Sequence, residues 1–144
     1  MSKALNIADE MAVYLRTLVA LDGIEVIVDR QKDIEQKILN AVSASSGAEV
    51  VILYVGGRNP NPERMSSLRK TCKFSVTVET LPVIQTDEQA KSDELVEAIQ
   101  AALHGWRSAT QHCAEGMRVL GDELVPDNTL LRMDVQVEID LTIK

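Results

Sequence analysis

The chain has 144 residues, an apolar fraction of 45% and a formal net charge of −7. This length is enough for one domain with its own hydrophobic core, residues 1–144. The negative charge argues against a general nucleic-acid coat protein, and one Phe, one Trp and two Tyr are too few for base-stacking platforms. Two cysteines do not make a disulfide framework, so we expect a reduced cytosolic protein. We expect no signal peptide and no membrane span.

The first third of the chain predicts two helices and two strands. Apolar residues recur at helical spacing over residues 4–20 and again over Lys32–Ser43. Between them, Ile24–Asp29 is short and rich in β-branched residues, which favours a strand. Glu49–Val55 is nearly all apolar and predicts a central strand that is covered on both faces.

A basic loop is predicted from Gly56 to Lys70, because two Gly, two Pro and two Asn disfavour a regular element. A loop this long is often functional. Residues 56–73 carry a formal charge of +4, so the remainder of the chain carries −11. The charged residues of this segment are Arg58, Arg64, Arg69, Lys70 and Lys73, against Glu63.

The next segment predicts a strand over Cys72–Ile84, where apolar and polar residues alternate. Thr86 and Gln89 have the spacing of a capping box, and the helix that follows is expected to reach about His104. Met117–Val125 predicts a further strand that is interrupted at a glycine.

The last stretch alternates strictly from Leu131 to Ile143, with apolar residues at odd positions and polar residues at even ones. This pattern is typical of a strand with one buried face and one solvated face. A strand so long must bend, bulge or reach a neighbouring molecule. We predict that Leu131–Val137 belongs to the sheet core and that Glu138–Lys144 makes a subunit contact.

These elements predict an α+β fold in the order α-β-α-β-β-α-β-β. The expected architecture is a mixed, mostly antiparallel sheet of about five strands with helices packed on one face.

No motif for catalysis or cofactor binding is found in the sequence. Gly56-Gly57 follows a strand, but the lysine and the third glycine of phosphate-binding loops are missing. His104, His112 and Cys113 match no zinc spacing, and the adjacent His112 and Cys113 do not form a typical catalytic dyad. We therefore predict no enzyme activity, no cofactor and no metal. The carboxylates of the last strand are interpreted as a solvated face or as a subunit interface.

The segment Ala102–Arg107 reads Ala-Leu-His-Gly-Trp-Arg and ends the second-half helix. With the alternating strand before this helix, the polar connector after it and the terminal strand, the chain resembles the tail-terminator and tail-completion proteins of long-tailed bacteriophages, especially those of Mu-like phages and prophages. In that family a helix ending in Leu-His-Gly and followed by an aromatic residue recurs.

This resemblance implies a virion assembly protein that caps the tail tube as a ring, often a hexamer. Such a ring ends tube polymerisation and prepares head–tail joining. The implied partners are further copies of the chain, the tail-tube protein and head–tail connector proteins, with DNA only passing through the bore and no membrane. The implied location is the virion tail, after assembly in the bacterial cytoplasm. An acidic bore would let DNA slide without binding.

At a subunit interface the carboxylates of the last strand would meet a basic partner surface, and the basic loop is the candidate for it. The alternative for this loop is a solvated surface loop. The interface candidates are Arg58, Arg64, Arg69, Lys70, Glu138, Asp140 and Lys144.

The alternative function is a small cytosolic ligand-binding or regulatory α+β domain, dimeric through its C-terminal strand.

Overall fold

The computed structural model describes residues 2–29, 48–80, 86–113, 115–125 and 131–143, with the side chains of 86–91 excepted. One five-stranded sheet organises them. Its strands and helices are α1 (Lys3–Arg16), β1 (Glu25–Val28), β2 (Ala48–Arg58), β3 (Arg69–Thr80), α2 (Thr86–Leu103), β4 (Arg118–Val125) and β5 (Leu131–Thr142), with a short 3-10 turn at Val19–Leu21.

The strand order across the sheet is β1-β2-β3-β5-β4. β1 is parallel to β2, whereas the β2–β3, β3–β5 and β5–β4 pairs are antiparallel. The prediction of an α+β fold with a mixed, mostly antiparallel five-stranded sheet is therefore confirmed. The predicted helix Lys32–Ser43 lies outside the described residues.

The core occupies one face of this sheet. The odd-numbered apolar residues of β5 from Met133 to Leu141 point into it, and so do Phe74, Val76 and Val78 of β3. Both described helices pack on this same face and contribute to the same cluster. Ser2 caps the N-terminus of α1, because its hydroxyl accepts a hydrogen bond from the Leu5 amide at 3.3 Å.

β5 does not need a neighbouring molecule to accommodate its length, because β3 is equally long. The two strands pair over their whole lengths, from Arg69 opposite Thr142 to Thr80 opposite Leu131. Ile139 and Leu141 are as deeply buried as the apolar residues of the first half. The predicted division of the strand into a core half and a contact half is thus wrong for its apolar side chains.

β2 continues past its predicted end and shortens the predicted loop to residues 59–68. The pairing register with β3 shifts between Tyr54 and Gly56, where a bulge adds a residue. Gly56 has φ +143°, a conformation that side chains disfavour. The expectation that β2 is covered on both faces holds for Val51, but Leu53 and Val55 are exposed on the face away from the core.

Candidate assembly interface

The basic hairpin, residues 56–73, is formed by the end of β2, the loop and the start of β3. Within the loop, the Asn59 side chain accepts a hydrogen bond from the Asn61 amide at 2.9 Å. The Arg64 amide in turn donates to the Asn61 carbonyl at 3.1 Å. These local turns give the Pro- and Asn-rich sequence a defined path, because Asx side chains replace missing backbone partners.

Lys70 is fixed against the inner side of this hairpin. Its ammonium lies 5.3 Å from the centre of the Tyr54 ring, within cation–π range. Hydrogen bonding to Tyr54 raises the pKa of Lys70, so the amine stays charged at neutral pH. Gly57 makes room for this contact, since a Cβ at Gly57 would lie 2.5 Å from Lys70 Cε. This arrangement depends on the bulge and could not be predicted from the sequence.

The base of the hairpin is tied to both ends of the described chain. The Ile143 amide donates to the Leu68 carbonyl at 2.8 Å, and Lys3 Nζ donates to the Ile143 carbonyl at 3.2 Å. A surface depression of about 300 Å³ lies beside these contacts. It is lined by Gly57, Arg58, Asn59, Leu68, Arg69, Lys70 and Ile143. The end of β5 thus helps to hold the hairpin in place.

Three cations of the hairpin are exposed and form no ion pair with any described residue: Arg58, Arg64 and Lys73. Met65, at the tip of the loop, is 94% exposed. Solvated cations beside an exposed apolar side chain are a common composition of a surface that binds an acidic partner.

The acidic stripe, which comprises Asp134, Glu138 and Asp140 of β5, has cations of its own. Arg118 Nη2 lies 3.0 Å from Glu138 Oε1 and 3.1 Å from Asp140 Oδ1. Arg132 Nε lies 3.2 Å from Asp134 Oδ1. The stripe is therefore largely neutralised inside the subunit.

Hydroxyl groups from β3 add to this pairing. Thr71 Oγ1 donates to Asp140 and Thr77 Oγ1 donates to Asp134, each at 2.7 Å. Burial alone would raise the pKa of Asp140, but the hydrogen bonds from Thr71 and Arg118 outweigh it and hold this pKa below its usual range. Hydrogen bonding to Asp140 likewise raises the pKa of Arg118.

The structure places the interface candidates from the sequence at one end of the sheet. Arg58, Arg64, Arg69 and Lys70 belong to the basic hairpin, and Glu138 and Asp140 lie beside it because Asp140 is opposite Thr71 and Glu138 is opposite Lys73. Lys144 lies outside the described residues. A role of these residues in subunit contact stays a prediction.

The other end of the sheet carries carboxylates on three adjacent strands. Glu25, Glu49 and Glu79 lie side by side on β1, β2 and β3. Glu49 is completely buried, and neither of its carboxylate oxygens has a hydrogen-bond partner among the described residues. Burial, followed by the charges of Glu25 and Glu79, raises the pKa of Glu49 to about 8. The sequence signal for this site was a glutamate at the start of an otherwise apolar strand.

α2 adds exposed carboxylates to this end. Its first half is fixed there by a contact of 3.3 Å between the hydroxyls of Ser92 and Thr80. Asp93, Glu94 and Glu97 follow on the solvent side of the helix, and none of them forms an ion pair with a described residue. We call these three residues the α2 acidic face.

The candidate chemical groups of the sequence do not form a reactive site in the described part of the chain. Cys113 is buried, and burial raises its thiol pKa, which disfavours the nucleophilic thiolate. His112 is exposed, and its carbonyl accepts a hydrogen bond from the Thr142 amide. Across residues 2–29, 48–80, 86–113, 115–125 and 131–143, no group of three or more His, Cys, Asp or Glu residues could hold a metal ion. No described helix is both long and apolar enough to cross a membrane.

Comparison with known proteins identifies a similar fold. A chain from the virion of a native gene transfer agent particle matches with a TM-score of 0.59 and 14% sequence identity. The match covers 98% of this chain and 99% of that chain. At this identity the likeness establishes the fold alone. No family model matches the chain, and the search of curated proteins gives no match.

Proposed function

We propose that this chain is a structural, non-enzymatic component of a phage-like virion. The observation that carries the proposal is the end-to-end similarity to a virion chain, which covers 98% of this chain and 99% of the other. Nearly equal lengths mean that the similarity extends over the whole subunit and is not limited to a common sheet motif. The carboxylates of the acidic stripe are ion-paired and the two thiols are buried, so neither group provides an activated nucleophile. Both observations are compatible with a structural, non-enzymatic role.

Within the virion, the proposed position is the end of the tail tube, where copies of the chain form a terminating ring. The Leu-His-Gly-Trp segment supports this finer assignment through the family resemblance. In the structure this segment joins α2 to β4. Gly105 has φ +84° and its amide donates to the Met117 carbonyl, while the Met117 amide donates to the Trp106 carbonyl, both at 2.7 Å. The Trp106 ring stacks on Tyr14, with 6.2 Å between the centroids.

The alternative of a dimer formed by the C-terminal strand has less support. β5 pairs with β3 on one side and with β4 on the other, so it offers no free edge along Arg132–Glu138. β-Augmentation requires an unpaired edge. In the described sheet the outer strands are β1 and β4.

The proposal is tested by reconstitution with a tail-tube protein from the same genome. Purified full-length chain is added to polymerising tubes, and negative-stain electron microscopy records tube length and the appearance of tube ends. The expected result is a ring at one end of each tube and shorter, uniform tubes. Tubes of unchanged length with bare ends would contradict the assignment.

A further inference from the structure

Two groups of exposed charges that form no ion pair with a described residue lie towards opposite ends of the sheet. Arg58, Arg64 and Lys73 belong to the basic hairpin, which includes the first residues of β3. The α2 acidic face starts beside Thr80, the last residue of β3. At about 3.3 Å per residue, Lys73, the nearest of these cations to Thr80 along β3, lies roughly 23 Å from it. This distance is too long for an ion pair between the two groups within one subunit.

We propose that the basic hairpin of one copy of this chain docks on the α2 acidic face of a second copy. The inference rests on the proposed function, because it identifies the contact that would join neighbouring subunits of the ring. The two surfaces differ and lie at opposite ends of the molecule, so the contact is head-to-tail. Head-to-tail contacts repeat from copy to copy and generate rings when the rotation closes.

This assignment differs from the one that the sequence suggested, in which the hairpin met Glu138 and Asp140. Those carboxylates already contact Arg118 at 3.0 and 3.1 Å and lie at the hairpin's own end of the sheet. An incoming cation would have to compete with an existing ion pair. Asp93, Glu94 and Glu97 are exposed and form no ion pair with a described residue, so they can attract a cation without this competition.

The partner is therefore a second copy of this chain, chosen by charge complementarity. The hairpin carries a formal +4 on a chain of −7, so it is attracted electrostatically to the acidic surfaces of other copies. The exposed Met65 at its tip adds an apolar contact that salt does not screen.

The test is a charge exchange between the two surfaces, measured by sedimentation velocity on the full-length chain. One variant carries Arg58→Glu and Arg64→Glu. The other carries Glu94→Lys and Glu97→Lys. Each variant alone brings like charges together, and we expect its self-association to be at least about tenfold weaker than that of the wild type. In the equimolar mixture both contacts are complementary again, and association returns.

Several outcomes would overturn the proposal. One is a wild-type chain that stays monomeric in about 0.01 M salt, where the Debye length is about 30 Å. Another is an equimolar mixture that stays monomeric although the wild type associates. A third is a Glu94→Lys/Glu97→Lys variant that associates like the wild type, because the hairpin would then dock elsewhere.

Two further variants serve as controls. Arg107→Glu reverses an exposed cation outside both surfaces and should leave association unchanged. Glu63→Lys adds positive charge to the hairpin and should strengthen association in low salt. Circular dichroism checks that every variant is folded. If the mixture associates but the tubes stay bare, the docking inference holds and the proposed function fails. If the tubes are capped but the mixture stays monomeric, the proposed function holds and the docking inference fails.

Discussion

The acidic stripe of β5 and the basic hairpin are both charged surfaces on neighbouring strands, but they differ in how their charges are satisfied. The stripe is half-buried and paired with Arg118 and Arg132. The hairpin has exposed cations with no ion pair among the described residues. Paired, partly buried charges contribute to folding of the subunit, whereas solvated unpaired charges are available for partners. The comparison predicts that substitutions in the two surfaces have different effects.

The largest expected effect comes from removing Ile139–Lys144, the end of the stripe strand. Ile139 and Leu141 are fully buried, and burying two such side chains stabilises a protein by about 3–6 kcal/mol. Total stability is typically about 5–15 kcal/mol, so the truncated chain should be largely unfolded or melt far earlier. Thermal unfolding followed by circular dichroism measures this.

The full-length variant Ile139→Ala/Leu141→Ala separates lost burial from lost strand pairing. Gln136→Ala, which changes an exposed residue of the same strand, is its control. A truncated chain that is as stable as the wild type but does not assemble would restore the original interpretation of the strand end as a contact segment.

Glu49 sharpens the comparison, because it is buried but its carboxylate has no hydrogen-bond partner among the described residues. Its pKa of about 8 lies above the usual value of 4.5, so the folded state binds this proton more tightly than the unfolded state. Its contribution to stability is therefore fully present below about pH 4.5 and is lost as the pH rises towards 8. The slope is at most about 1.4 kcal/mol per pH unit.

Urea unfolding at a series of pH values measures this loss. Glu49→Gln should flatten the dependence between pH 5 and 8 and stabilise the chain most at the alkaline limit. Glu25→Gln, which removes a neighbouring charge from an exposed position, should change the slope only slightly. Equal slopes for the wild type and Glu49→Gln would show that Glu49 is ionised in the folded state at neutral pH.

A smaller effect is expected from Arg118→Ala, which leaves Glu138 and Asp140 without their shared cation. The loss should be about 1–3 kcal/mol, the usual cost of an unsatisfied, partly buried polar group. Arg58→Ala in the hairpin should change stability by less than about 0.5 kcal/mol. Chemical denaturation of both variants gives the two values. Equal losses would remove the distinction between the surfaces.

The sequence was sufficient for the elements with strong periodicity. The alternation of β5 predicted its strand and its buried residues, and Cys72, the first apolar residue of the alternating segment in β3, is likewise buried. Gly121 was correctly recognised as an interruption of β4, where the pairing register with β5 shifts. These features follow from local side-chain periodicity, which the sequence displays directly.

Tertiary pairing explains what the sequence did not reveal. Gly56-Gly57 was interpreted as the start of a loop, but a bulge accommodates both glycines in β2. β3 is as long as β5 and pairs with it over its whole length, which could not be predicted from the sequence of β5 alone. The ion pairs of the stripe depend on Arg118, a residue whose partners are set by the β4–β5 register.

The most direct test of the account is tube capping by the charge-exchange variants. Tail tubes are mixed with the wild type, with Arg58→Glu/Arg64→Glu, with Glu94→Lys/Glu97→Lys, or with both variants together, and electron microscopy measures the fraction of ringed tube ends. The account predicts rings with the wild type and with the mixture, and bare ends with either variant alone. Rings formed equally well by each variant alone would contradict it.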